Sequence, residues 1–200
     1  IVAAGAIAKS ILASKGIFIG THIKAMAGVC DREFDTANLL SEVKELSVKS
    51  FPTLCERSEK AMREEAEKAA IEGDSVGGIL ESAVVGMPSG IGEPWFDSVE
   101  SVLSHALFSI PAIKGIEFGK GFELANMRGS EANDALYTNG KDVFTKTNNN
   151  GGINGGITNG MPIIFRLAVK PTPSIYKEQQ TVDLEKMENT TLKIEGRHDP

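Results

Sequence analysis

Two short segments of this 200-residue chain bring reactive side-chain types close together. In "KPTPS", Lys170 to Ser174, one mobile cation, two rigid prolines and two hydroxyls fall within five positions, a set that suits a phosphate or a ring carbonyl. In "GRHDP", Arg197, His198 and Asp199 line up a permanent cation, an imidazole and a carboxylate. Arg197 can pair with an anion, while Asp199 accepts protons or orients a base. Ahead of the first segment runs "NNNGGINGGITNG", whose asparagines and paired glycines, Gly151-Gly152 and Gly155-Gly156, can adopt positive φ and let a flat ligand lie on the main chain. Blander roles fit the same residue types: a capped strand end, a solvated turn and a glycine-rich loop before a buried strand.

Weaker signals surround these. "GDSVGG" (Gly73 to Gly78) can cradle an anion on backbone N–H groups, or simply stop a helix ahead of a bulged strand. "GIEFGKG" (Gly115 to Gly121) is one residue short of a Walker loop and has no Ser or Thr after the lysine, and no G-x-G-x-x-G marks a dinucleotide site. His22, His105 and His198 are too scattered for a metal cluster, and no ligated metal is expected. Cys30 and Cys55 have no C-x-x-C spacing and are expected to be reduced and buried, in a cytoplasmic setting. A net charge of −6 argues against a nucleic-acid surface. The opening "IVAAGAIAKSILASKG" is too short and too charged, at Lys9 and Lys15, to cross a membrane.

The elements that must position these groups alternate helix and strand. Glycine-marked copies, "KGIFIGTHIKAMAG" from Lys15, "KGIEFGKGFELANMRG" from Lys114 and a looser one from Glu72, each follow a helical pattern, giving an internal repeat of helix, glycine turn and strand. Thr53 with Glu56 has capping-box spacing ahead of a helix to Ile71 that carries Glu64 and Lys68 at i,i+4. Asp97 with Glu100 repeats that opening. Phe96, Val99, Leu103, Ala106, Leu107 and Ile110 then recur at helical spacing as a core stripe. "MPIIFRLAVK" reads as a strand, and the segment from Ser174 as a hairpin turning near Asn189. Short connections and hairpin-joined late strands favour an α+β fold of antiparallel sheets with helices packed on one face.

Taken together, "GDSVGG", "GIGEPWFDSVESVLSHALFSIPAIKGIEFGKGF", "NNNGGINGGITNGMPIIFRLAVKPTPSI" and "GRHDP" closely resemble the chorismate synthase family, in its order and spacing over essentially the whole chain. The resemblance implies helices packed between two antiparallel sheets, a homotetramer, and an anti elimination of phosphate from 5-enolpyruvylshikimate 3-phosphate that yields chorismate, the last common step of the shikimate pathway. It implies reduced FMN, with NADPH as the source of reducing equivalents, the flavin lending an electron to the departing phosphate and recovering it. By position it places Gly155, Lys170, Pro171, Thr172, Pro173, Ser174 and Arg197 against FMN, with Ala112 as a backbone contact. Pro111 replaces the family's Asn and loses that side-chain contact. Asp199 matches the carboxylate that handles protons at the flavin. Family members are considerably longer, so residues 1–200 are expected to be one core domain, an internal piece of such an enzyme. Motifs with the family's two catalytic histidines and the Ser- and Arg-containing flavin segment are absent, so weak FMN binding and no turnover are expected of the piece alone. The other expectation is a non-catalytic assembly core of the same enzyme.

Overall fold

The computed structural model describes residues 1–196. Its order is α1 (Val2–Ser14), β1 (Phe18–Met26), β2 (Val29–Cys30), α2 (Leu39–Leu46), α3 (Glu56–Ile71), β3 (Gly78–Val85), α4 (Val99–Phe108), β4 (Ile113–Phe118), a 3-10 turn (Gly121–Asn126) and a short α5 (Gly129–Ala132). Ribbons β5 (Leu136–Thr138) with β6 (Val143–Thr145) and β7 (Ile153–Asn154) with β8 (Ile157–Thr158) follow, then β9 (Ile163–Val169), and β10 (Gln179–Asp183) with β11 (Glu188–Leu192). One five-stranded sheet, ordered β2-β1-β3-β9-β4 and antiparallel throughout, organises the rest. The fold is α+β. Among the described residues the helices flank this single large sheet, and the other pairings are two-stranded.

Period-two alternation gives the sheet two unlike faces. On one, Val84, Ile163, Phe165 and Leu167 form a core with Val99 of α4, Ile113 and Ile153, and Leu103 and Leu107 pack against it. On the other, Ala83 meets Leu39 and Val43 of α2, with Phe18, Phe34 and Ile164 beside them. Helix α2 lies so close to β1 that a Cβ at Gly20 would come within 2.8 Å of the Val43 backbone. Only glycine admits that packing.

Several local expectations need correction. Helix α3 begins one residue after Cys55, which supplies no side-chain cap, and the Thr53 hydroxyl is buried without a partner instead of capping. Lys68 pairs with Glu65 at 2.6 Å, one residue short of the i,i+4 spacing to Glu64. Ser98, not Asp97, caps α4, accepting from the Ser101 N–H at 3.1 Å. The stripe on α4 is core only at one edge: Phe96 precedes the helix and is 89% exposed, and Ile110 follows it and is 46% exposed. The last hairpin turns over residues 184–187, because the Asp183 carboxylate accepts from the Glu185 and Lys186 N–H groups and Met187 takes positive φ. Cys30 is exposed and Cys55 half-buried, where burial of both is the sequence expectation. Both lie at the mouth between β2 and the start of α3.

Candidate functional site

The "KPTPS" segment leaves the end of β9 and is braced by "GDSVGG", which leads into the neighbouring strand β3. Gly73 ends α3 at φ +67 and its carbonyl accepts from Tyr176 N–H at 3.0 Å. Ser75 Oγ donates to the Thr172 carbonyl at 2.6 Å, and Lys177 Nζ to Asp74 Oδ2 at 2.6 Å. That last pair holds the Asp74 carboxyl below its ordinary range, helped by the Ser75 N–H, and raises Lys177 above its own. Pro171 lies over Gly77: a Cβ there would fall 2.9 Å from the Val169 carbonyl oxygen and 3.0 Å from the proline ring. The bulge sought after "GDSVGG" falls on the partner strand β1, between Ile23 and Ala25.

Across β9 from this brace stands Ala112, at φ +71, whose carbonyl accepts from Lys170 N–H at 2.9 Å. Ala112 and Lys170 are thereby joined. Lys170, Pro171, Thr172 and Pro173 are exposed and Ser174 half-buried, and among the described residues Lys170 makes no ion pair. A cation, two hydroxyls and a main-chain turn at positive φ thus lie together at the strand ends. Gly155 lies elsewhere, in the turn of the β7–β8 ribbon, whose Gly156 carbonyl accepts from Val99 N–H at the start of α4. The ten residues of α4 separate it from the Ala112 end by about 15 Å. A Cβ at Gly155 would meet nothing within 4 Å, so that turn is open to an outside group. Arg197 and Asp199 lie outside the described residues.

A buried carboxylate shapes the glycine-rich loop. Asp134, 7% exposed, accepts from Thr147 Oγ1 at 2.7 Å, Asn149 N–H at 2.7 Å, and Asn150 N–H and Nδ2 at 2.9 and 2.8 Å. Burial opposes its charge, yet these donors prevail and hold the carboxyl below its ordinary range. The loop then threads past the end of β4, where Gly119 (φ +56) and Gly151 (φ +63) face each other. A Cβ on either would run into the other's backbone.

Sequence reasoning missed a row of charged groups on the α2 face of the sheet. His22, Glu81, Arg166 and Glu117 stand in register across β1, β3, β9 and β4. His22 is fully buried, with Nδ1 3.0 Å from Asp31 Oδ2 and Nε2 3.0 Å from Glu81 Oε2. Ionised carboxylates only accept, so these two lines call for N–H on both ring nitrogens or a proton on one carboxyl. Asp31 is itself fixed by Leu54 N–H at 2.5 Å and Cys55 N–H at 3.1 Å. Arg166 Nε lies 2.7 Å from Glu117 Oε1 without hydrogen-bond alignment, and its Nη2 donates to the Gly119 carbonyl at 3.0 Å. Local pattern carried no signal for it: Glu81 and Arg166 are single charges among Ile79, Ala83, Ile164 and Ala168 on the same face of β3 and β9. Among the described residues no group of His, Cys, Asp and Glu is arranged to hold a metal ion, and no helix is long and apolar enough to cross a membrane.

Comparison with known proteins extends over every part of this architecture. The family model described as chorismate synthase matches residues 1–200. Chorismate synthase of Methanosarcina acetivorans is 48% identical over 199 residues, and that of Pyrococcus abyssi 49% identical over 200; each alignment covers 100% of this chain and 54% of the relative. A solved structure described as a crystal structure of chorismate synthase superposes with a TM-score of 0.77 at 33% identity, over 85% of this chain and 54% of the other. The chain spans about half the length of the curated relatives it matches. A family model that matches the whole chain, with near-half identity to relatives over its full length, leaves one assignment: this chain belongs to the chorismate synthase family.

Proposed function

We propose that the chain supplies a flavin-binding core of a chorismate synthase, a carbon–oxygen lyase that eliminates phosphate from 5-enolpyruvylshikimate 3-phosphate to give chorismate. The observation that carries this reading is the Ala112–Lys170 junction, which joins a main-chain turn at positive φ to an exposed lysine that makes no ion pair among the described residues, two positions ahead of Thr172. Those groups fit FMN: Lys170 offers charge to its anionic or carbonyl oxygens, Thr172 and Ser174 offer hydroxyls, and the rigid prolines hold these groups apart without freezing many rotors. Reduced flavin, when bound, supplies the electron density that assists loss of the phosphate. The chain's share is to seat that group, to keep positive charge near a substrate that bears two carboxylates and a phosphate, and, at Asp199, to hold a proton within hydrogen-bond reach of the flavin.

The same reading extends to a cytoplasmic homotetramer in which helices lie between this sheet and a second one. The exposed apolar groups of α1 and α4, among them Ile7, Ile11, Val102 and Phe108, support such packing, and among the described residues α1 has no fully buried side chain. They equally favour a second reading, in which these 200 residues on their own serve as an assembly core and turn over no substrate. Flavin fluorescence titrations separate the two. Under the first reading the protein binds FMN, and Lys170→Ala and Arg197→Ala each raise Kd about tenfold, some 1.4 kcal/mol. Equal affinity in wild type and both variants sinks the assignment of "KPTPS" to the flavin; a folded protein that takes up no FMN supports the assembly core.

A further inference from the structure

The charged row on the α2 face contains an anomaly. Glu81 and Arg166 are directly opposed on adjacent strands, the arrangement in which opposite charges ordinarily pair. Each turns away from the other instead. Glu81 commits Oε2 to His22, and Arg166 leans toward Glu117 and the Gly119 carbonyl. Between them the sheet forms the floor of a cleft of about 290 Å³, at the small end of the roughly 300–1,000 Å³ usual for small-molecule sites.

The cleft's unmet bonding demands are specific. Glu81 is 5% exposed, and among the described residues its Oε1 has no partner. Asn148 donates Nδ2 to the Pro162 carbonyl at 2.8 Å, which leaves Oδ1 as a buried acceptor with none. Among the described residues Arg166 keeps Nη1 without a partner, and Lys120, which also lines the cleft, pairs only with the exposed Glu123 at 3.2 Å. Acceptors at Glu81 and Asn148 and donors at Arg166 and Lys120 thus line one cleft, with Glu81 and Arg166 one strand spacing, about 5 Å, apart. Phe34, Leu39 and Ile164 supply an apolar side. Glu117 already balances the Arg166 charge, but among the described residues a cation alone would leave Arg166 Nη1 without an acceptor, and an anion alone would leave Glu81 Oε1 and the Asn148 oxygen without a donor. Buried polar groups left so are costly.

From this we propose that the cleft binds a free α-amino acid with an apolar side chain, its ammonium toward Glu81 Oε1 and Asn148 Oδ1, its carboxylate toward Arg166 and Lys120, and its side chain against Phe34, Leu39 and Ile164. The site is separate from the proposed flavin contacts, lying about 13 Å back along β9 from Lys170. Occupancy would also reach the buried His22 through Glu81.

Calorimetric titration of the intact protein with L-phenylalanine and L-leucine tests this, beside 3-phenylpropionate, which lacks the ammonium, and phenethylamine, which lacks the carboxylate. The amino acids bind saturably, and each truncated analogue binds at least about tenfold more weakly, as loss of a charge-assisted pair requires. Arg166→Gln and Lys120→Ala weaken amino-acid binding but leave phenethylamine unchanged. In protein labelled with ¹⁵N-histidine, the His22 ring signals move with L-phenylalanine and stay still with 3-phenylpropionate. If Glu81→Gln does not fold, the analogue series on wild type still decides. The proposal is overturned by 3-phenylpropionate or phenethylamine binding as tightly as L-phenylalanine, by no heat up to the solubility limit of either amino acid, or by affinity indifferent to Arg166 and Lys120. None of these results bears on FMN titration at Lys170, so the two readings fail separately.

Discussion

Replacing Asp134 with alanine would remove the group around which residues 147–150 are wound. Four donors converge on that carboxylate, and two of them are main-chain N–H groups that cannot turn away. Stranding a buried N–H costs about 1–3 kcal/mol, so Asn149 and Asn150 together imply a loss of roughly 4 kcal/mol. The Thr147 hydroxyl and the Asn150 amide can re-solvate and add little. At about 2–4 °C per kcal/mol for a domain of this size, the thermal midpoint at neutral pH should fall by roughly 10 °C. The pH dependence has a definite sign. Because the folded carboxyl titrates below its unfolded value, its stabilisation is complete above about pH 4 and is lost as the pH falls through the lower, folded value. The gap between wild type and Asp134→Ala should therefore narrow in urea melts run at increasingly acid pH. A neutral-pH drop of about 2 °C or less, or a gap unchanged by acid, would refute the view that this carboxylate organises the loop.

Two further outcomes follow from geometry. Gly119→Ala forces a side chain into positive φ and against the backbone of Asn149 and Gly151, and should cost about 3 kcal/mol or more, read as a lowered urea midpoint; a near-neutral change would mean that the loop moves aside freely. The Ser58 and Arg57 N–H groups at the start of α3, with the Ser58 hydroxyl, hold the Cys55 thiol below its ordinary range, so iodoacetamide at neutral pH should label Cys55 ahead of the more exposed Cys30, as peptide mass mapping would show; equal rates would contradict this.

Long periodic elements were legible in the sequence because one physical cause dominates them. β9 reads directly from "MPIIFRLAVK", and α3 from its alanine- and charge-rich run to the stop at Gly73. Their ends were less legible, because a cap depends on where one side chain turns: Thr53 turns inward and Ser98 takes the place expected of Asp97. Of the site, "KPTPS" could be picked out by residue chemistry, but its brace could not. That "GDSVGG" serves as the seat for Pro171 and Thr172 depends on β3 and β9 being neighbours, a pairing across roughly ninety residues that local pattern does not encode. The charged row escaped for the same reason. His22, Glu81, Arg166 and Glu117 come from four strands, and each alone looks like an ordinary polar residue within a strand.

The strand order also bears on how the chain is made. β9 lies between β3 and β4, yet it is the last strand of the sheet to be synthesised. Until Val169 has been added, β3 has no neighbour on one side and β4 has none at all. The ribosome needs roughly 3–10 s to travel from Phe118 to Val169 at about 5–20 residues per second. During that interval an apolar strand edge is open to pairing with any other extended chain. Production of this protein should therefore depend on chaperone capacity and on translation speed through the glycine-rich stretch just before the closing strand.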